Sequence, residues 1–249
     1  MIAQCTQLLC RGVACLALAF LVACTSTKPV TAPGITESVV RGSTVLLLRL
    51  DIECSEVAVG GTSARPEWSA KAQASVGRAL TDFMQEHSTR LVNYDDTSFP
   101  PERRAEQAAA IAALTGVLPA PTGPAPGTLL QVEQPTPDLL APLREDFAAD
   151  YALSVSLQES FQSAGHMALR YGLAALLGPA GAIVAPTQGP LAPPRTGQFG
   201  YARLVDLRTG DMVWSNTITT IGEVPTDIRD PEKARDAVDR LMKALPVGN

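Results

Sequence analysis

Tyr201-Ala202-Arg203-Leu204-Val205-Asp206-Leu207-Arg208-Thr209-Gly210-Asp211-Met212-Val213-Trp214-Ser215 is the stretch on which the fold turns. Phe199 to Asp206 and Met212 to Ile221 read as two strands joined at Leu207-Arg208-Thr209-Gly210-Asp211. Gly210 supplies the positive φ that a tight turn with a bulge requires. Asp206 and Asp211 flank that turn, where Asp side chains accept from backbone N–H groups, so both are read as structural. Tyr201 and Trp214 are read as core aromatics of the hairpin.

Working outward, Asp230-Pro231-Glu232 caps a last helix whose apolar stripe is Ala234, Val238, Leu241, Met242 and Leu245. Upstream, Tyr151 to Leu157 alternates apolar and small or polar residues with the period of a half-buried strand. Ser43 to Cys54 is a mostly continuous apolar run after Gly42, which suits a central strand. Val57 to Arg65 contains Gly60-Gly61 and is expected to be loop. From Pro66 to about Glu86, Trp68, Ala72, Val76, Leu80 and Phe83 form one helical stripe. Leu91 to Tyr94 is a short strand, and the β-α-β order implies parallel pairing. Glu102 to Leu114 is an alanine-rich helix. Thr136-Pro137-Asp138 opens another helix with Leu139, Leu140, Leu143 and Phe147 on one side. Pro/Gly-rich loops are expected near 117–137 and 186–197. The expected fold class is α/β, a mixed sheet sandwiched with helices in a single domain over residues 43–249.

The hairpin resembles one that recurs in a group of envelope lipoproteins, in which Ala-Arg-Leu-Val-Asp leads through a Gly turn to Trp-Ser. That group includes neisserial-type lipoproteins, the curli secretion lipoprotein CsgG, LpoB and the TolB amino-terminal domain. Ala149-Asp150-Tyr151-Ala152-Leu153 is similar to the strand entry in the same group. The resemblance follows the order of elements over 43–245 and is specific over 149–157 and 199–219. It implies an anticodon-binding-like α/β sandwich (the CsgG, LpoB and TolB amino-terminal type) in a protein that binds other envelope proteins. The segments 118–137 and 165–196 do not align with the group. The second lies where the curli channel contributes membrane-barrel hairpins, and it contains no alternating ten-residue strands.

The amino terminus supplies an address. Arg11 and the apolar run from Val13 to Val22 have the pattern of a secretory signal, too short to span a bilayer, which needs about 20 residues. It ends in Leu21-Val22-Ala23-Cys24, which resembles the lipobox of bacterial lipoproteins. Cleavage before Cys24 would leave that cysteine to carry acyl chains, several of which anchor a protein stably. Thr25 stands where an Asp would resemble the inner-membrane retention signal, so the outer membrane is the expected destination. Residues 1–23 are then a signal peptide, and 24–42, rich in Thr, Ser, Pro and Gly, a flexible tether.

Composition narrows the partners. Processing removes only Arg11 among charged residues, so the net charge falls from −5 to −6. No basic run appears, which argues against nucleic acid. Cys5, Cys10 and Cys15 leave with the signal, and with Cys24 acylated Cys54 has no disulfide partner and is expected to be a buried, inert thiol. His87 and His166 are the only histidines, far apart in sequence and without metal-ligand spacing. No phosphate loop, Gly-x-Gly-x-x-Gly turn or Gly-x-Ser-x-Gly elbow occurs, so neither cofactor nor metal is expected. Asp146, Asp150, Asp206 and Asp211, with Ser154, Ser156 and Ser160, are the residues an envelope hydrolase would have to use. Ala164 to Ala185 is apolar and small, and Leu173, Leu176, Leu177, Ile183 and Val184 are its candidate contacts with a partner or the membrane. The leading expectation is a non-enzymatic, lipid-anchored accessory on the periplasmic face of the outer membrane, in envelope assembly, secretion or cell-wall machinery. The alternatives are a membrane-inserted oligomeric secretion pore component and an unrecognised envelope hydrolase.

Overall fold

A computed structural model describes residues 24–35, 39–58, 60–115, 135–163, 165, 197–221 and 227–247. The strands are β1 (Cys24–Thr27), β2 (Val30–Thr31), β3 (Thr44–Ala58), β4 (Gly61–Ala64), β5 (Arg90–Asn93), β6 (Tyr151–Gln162), β7 (Gly197–Asp206) and β8 (Met212–Ile221). The helices are α1 (Pro66–Glu86), α2 (Pro101–Thr115), α3 (Pro137–Phe147) and α4 (Pro231–Leu241). The class is α/β. One mixed sheet runs β1-β8-β7-β6-β3-β4, with β2 also on β8 and β5 also on β3.

β3 is the spine. One edge pairs in parallel with β6 from Val45↔Tyr151 to Val57↔Gln162, with a register shift between Leu47 and Arg49. The other edge is shared: β5 pairs in parallel with Thr44–Leu47, and β4 pairs antiparallel with Ser55–Ala58. The β3-α1-β5 unit is therefore parallel, as the sequence order implied. β6, β7 and β8 complete an antiparallel meander.

Helices cover both faces, but unequally. On one face α1 and α4 bury Val76, Leu80, Met84, Val238 and Leu241 against Leu47, Leu153, Leu157, Leu204, Trp214 and Ile218. On the other, α2 and α3 bury Leu114, Leu140 and Leu143 against Leu46, Leu48, Ala152, Val205 and Leu207. That second layer reaches one end of the sheet alone, where Leu46-Leu47-Leu48 and Leu204-Val205 are buried on both faces. Beyond it Arg49, Asp51 and Glu53 alternate with Leu50, Ile52 and Cys54, so the apolar run of β3 becomes a one-sided strand. Trp214 is fully buried, as expected, whereas the register places Tyr201 on the opposite, polar face, where it is half-buried.

Two further expectations need correction. Residues 24–42 are not a tether throughout, because β1 pairs with β8 from Cys24↔Ile221 to Thr27↔Ile218, and β2 pairs at Val30↔Ser215. An unpaired sheet edge offers a row of N–H and C=O groups, and a β-prone Thr/Ser segment in reach satisfies them. The loop expected over 57–65 is a hairpin, since β3 runs on to Ala58 and β4 returns beside it. β4 is exposed along its length, so no apolar pattern marks it.

Two glycines are required by space. In the hairpin turn Gly210 has φ +80°, and a Cβ there would lie 2.2 Å from the Pro135 carbonyl oxygen. On β7 a Cβ at Gly200 would lie 2.6 Å from Leu157 Cδ1 and 2.7 Å from Ile218 Cγ1. Gly210→Ala therefore combines left-handed backbone strain with a backbone collision, and the expected cost is about 2–4 kcal/mol. A fall in the urea midpoint with an unchanged slope would register it.

Candidate functional site

Of the residues a hydrolase would use, Asp146, Asp150, Asp206 and Ser160 hold structural partners. Arg103 on α2 grips Asp146 on α3 through Nε–Oδ2 at 2.7 Å and Nη2–Oδ1 at 2.9 Å, and Gln107 Nε2 donates to the same carboxylate at 2.6 Å. Asp150 Oδ2 accepts from the Thr44 N–H at 2.8 Å, fixing the start of β3 beside β6. Asp206 Oδ1 accepts from the Arg208 N–H at 2.7 Å within the turn, and the Asp211 N–H donates to Thr209 Oγ1 at 3.2 Å. Ser160 Oγ meets Ser55 Oγ at 3.0 Å across β6 and β3, Ser154 is buried and Ser156 half-buried on the same sheet face. His87 terminates α1, its Nδ1 2.8 Å from the Phe83 carbonyl oxygen and its ring stacked on Phe83. His166 and the five contact candidates Leu173, Leu176, Leu177, Ile183 and Val184 lie outside the described residues. Among the described residues no cluster of His, Cys, Asp and Glu could hold a metal, and no helix is long and apolar enough to cross a membrane.

Two buried charged groups were not foreseen from the sequence. Glu159 sits on the core face of β6 at 3% exposure, and its Oε2 accepts from the Ile228 N–H at 2.9 Å, clamping the approach to α4. Beside it Arg229 lies over both Trp68 and Phe161, 4.4 and 4.1 Å from the ring centroids, and pairs with Asp227. Arg203 is the second. It faces the polar side of the sheet in the row Arg49–Ser154–Arg203–Ser215, is 6% exposed, and its Nε and Nη2 have no partner among the described residues. Burial pushes its guanidinium pKa down.

Two edges of the sheet differ in availability. The β8 edge is closed by β1 and β2, and the closure is locked: the Lys28 N–H donates to the Thr217 carbonyl at 3.0 Å and to Asn216 Oδ1 at 3.1 Å. Asn216 Nδ2 in turn donates to the carbonyls of Arg240 and Leu241, at 3.0 and 2.8 Å, tying the strand pair to α4. Cys24 stands first in β1 and so at the margin of this closed edge. The opposite edge carries a cleft of about 680 Å³ between α1 and β3, lined by Leu48 to Ile52, Gln73, Ala74, Gly77, Arg78, Thr81, Asn93 and Tyr94. The sequence gives no signal for the cleft, because it arises where β5 stops and β4 has not begun.

Comparison with known proteins adds fold likeness at a distance. No family model matches the chain, and no curated protein does. Among solved structures the chain is similar to a PelC dodecamer from Paraburkholderia phytofirmans, with TM-score 0.40 and 10% identity over 90% of this chain and 98% of that one. It is also similar to the LpoB C-terminal domain from Salmonella enterica, with TM-score 0.26 and 15% identity over 76% of this chain and 86% of that one. The LpoB C-terminal domain from Escherichia coli gives TM-score 0.27 and 14% identity over the same shares. The sheet and helices of the chain itself define the class, a mixed α/β protein with helices on both sheet faces.

Two measurements follow from the electrostatics. Arg103 holds the Asp146 carboxyl below the ordinary carboxylate range. A depressed folded-state pKa stabilises above the unfolded value and is lost as pH falls through the folded one. The wild type should therefore lose this contribution below about pH 4, the ordinary Asp range. Asp146→Asn should cost about 1 kcal/mol at pH 7, with allowance for solvent at Arg103, and flatten the acid limb of the urea midpoint against pH. The Cys54 thiol is fully buried and pushed up to about 12, first by burial and then by Glu159. Iodoacetamide at pH 8 should leave it unmodified in the folded protein and alkylate it in urea.

Proposed function

We propose that the chain is a lipid-anchored protein of the bacterial envelope, held by acylated Cys24 on the periplasmic face of the outer membrane, that acts by binding other envelope proteins. It serves as a non-enzymatic accessory in assembly, secretion or cell-wall machinery. The observation that carries the reading is the Leu21-Val22-Ala23-Cys24 lipobox-like sequence, with Cys24 then standing as the first residue of a strand at the sheet margin. An anchor there ties the whole sheet to the bilayer rather than a loose tail. Further support comes from the hairpin resemblance and from the committed roles of Asp146, Asp150 and Asp206, each of which already has a structural partner.

In cells fed labelled palmitate, the wild type should take up label and sediment with the outer membrane. Cys24→Ser should lose both properties. An unlabelled wild type in the soluble fraction would overturn the anchor. Cross-linking in the intact envelope should join the protein to defined envelope proteins, and a chain that yields no adduct beyond itself would overturn the accessory role.

A further inference from the structure

The outer edge of β3 is open between its two partners. β5 stops pairing at Leu47 and β4 starts at Ser55. The Leu47 carbonyl accepts from the Tyr94 N–H at 2.9 Å. At the far end the Cys54 N–H donates to Ser69 Oγ at 2.9 Å, and its carbonyl accepts from the Arg65 N–H at 2.9 Å. Strand backbone groups alternate between edges, and the register shift between Leu47 and Arg49 changes their phase once. The N–H and C=O groups of Leu50 and Ile52 therefore face the same edge as those of Leu47 and Cys54. No described strand pairs with them.

Leu50 and Ile52 line the cleft against α1. Ile52 is 8% exposed and Leu50 half-buried, so the edge is recessed rather than splayed into solvent. On α1 the facing residues are Ala74, Gly77 and Thr81, and a Cβ at Gly77 would lie 3.4 Å from Leu50 Cδ2. From Leu48 to Glu53 the opening is roughly 20 Å long at about 3.3 Å per residue. β5 lies on this same edge at the Leu47 side, so one short strand is already seated there.

We propose that this cleft is a β-addition site that takes an extended segment of a partner protein, five or six residues long, between β5 and β4. An extended backbone alone presents N–H and C=O groups at the spacing Leu50 and Ile52 offer, whereas a helix has spent its own. A small side chain of the guest lies over Gly77. An acidic one meets Arg78, which has no partner among the described residues and stands at the rim, while Arg49 already faces Asp51 at 3.6 Å. A second copy of this chain fits poorly, since its own open edge on β3 is recessed between β4 and β5 and its other edge ends in β1 and β2, strands of 4 and 2 residues that are too short to fill the gap. The inference rests on the protein-binding part of the proposed function and is independent of the lipid anchor.

The test uses the full-length protein in detergent, panned against a displayed library of random linear decapeptides. Selected peptides, made synthetically, should slow hydrogen exchange at the Leu50 and Ile52 amides by about tenfold or more and leave amides elsewhere unchanged. Gly77→Leu should abolish binding while melting no lower than wild type, because leucine is the better helix former and its side chain fills the cleft. Arg78→Glu should turn the selection from acidic peptides to basic ones. Peptides that bind without protecting those two amides, or a library that yields none, would overturn the proposal. So would amides protected in the free protein and released on dilution, which would make the occupant a second copy. Peptide binding retained in a Cys24→Ser protein that fails palmitate labelling would sink the anchor alone, and labelling without peptide protection would sink the cleft alone.

Discussion

The long parallel pairing of β3 with β6 is the interaction on which the rest of the molecule depends. It runs from Val45 to Val57, and its two strands carry the residues against which both helical layers pack. Parallel strands cannot be joined by a tight turn, so the chain must travel away and return between them. The helices α1, α2 and α3 lie on that excursion and cover both faces on the way. Asp150 then receives the Thr44 N–H where the two strands begin, which sets their register at the first step.

Much of this was legible because burial leaves a pattern. β3 reads as continuous apolar residues at Val45-Leu46-Leu47-Leu48 and as alternation from Arg49 onward. The change falls where α2 and α3 cease to cover the second face. The hairpin was legible through Gly210, whose positive φ and proximity to Pro135 leave no room for a side chain. The α4 cap was legible because Asp230 accepts from Glu232 and Lys233 as a capping residue does.

What was missed has a common cause. β1, β2 and β4 are short strands at sheet margins, and β2 and β4 are exposed along their length, so they carry no apolar signature. Their pairing is dictated by the edge they meet and not by their own composition. The cleft beside β3 is likewise a property of where two neighbours end. Glu159 and Arg203 break the ordinary rule that charges stay outside, and a buried charge looks in sequence like any polar residue on a strand. The candidate catalytic carboxylates were visible as residues, but their partners come from distant elements: Arg103 for Asp146 and Thr44 for Asp150.

The closure of the β8 edge also orders events in time. Cys24 opens the first strand and Ile221 closes the last described one, yet they are register partners. Contacts of such wide separation carry the largest loop-closure cost and form late. While the chain is still emerging, β1 has nothing to pair with, because its template is the last of the described strands to be made. The segment that becomes β1 therefore has no place in the sheet until β8 is made. It becomes part of the sheet once the final hairpin has folded, when Asn216 takes hold of Lys28 and α4 together.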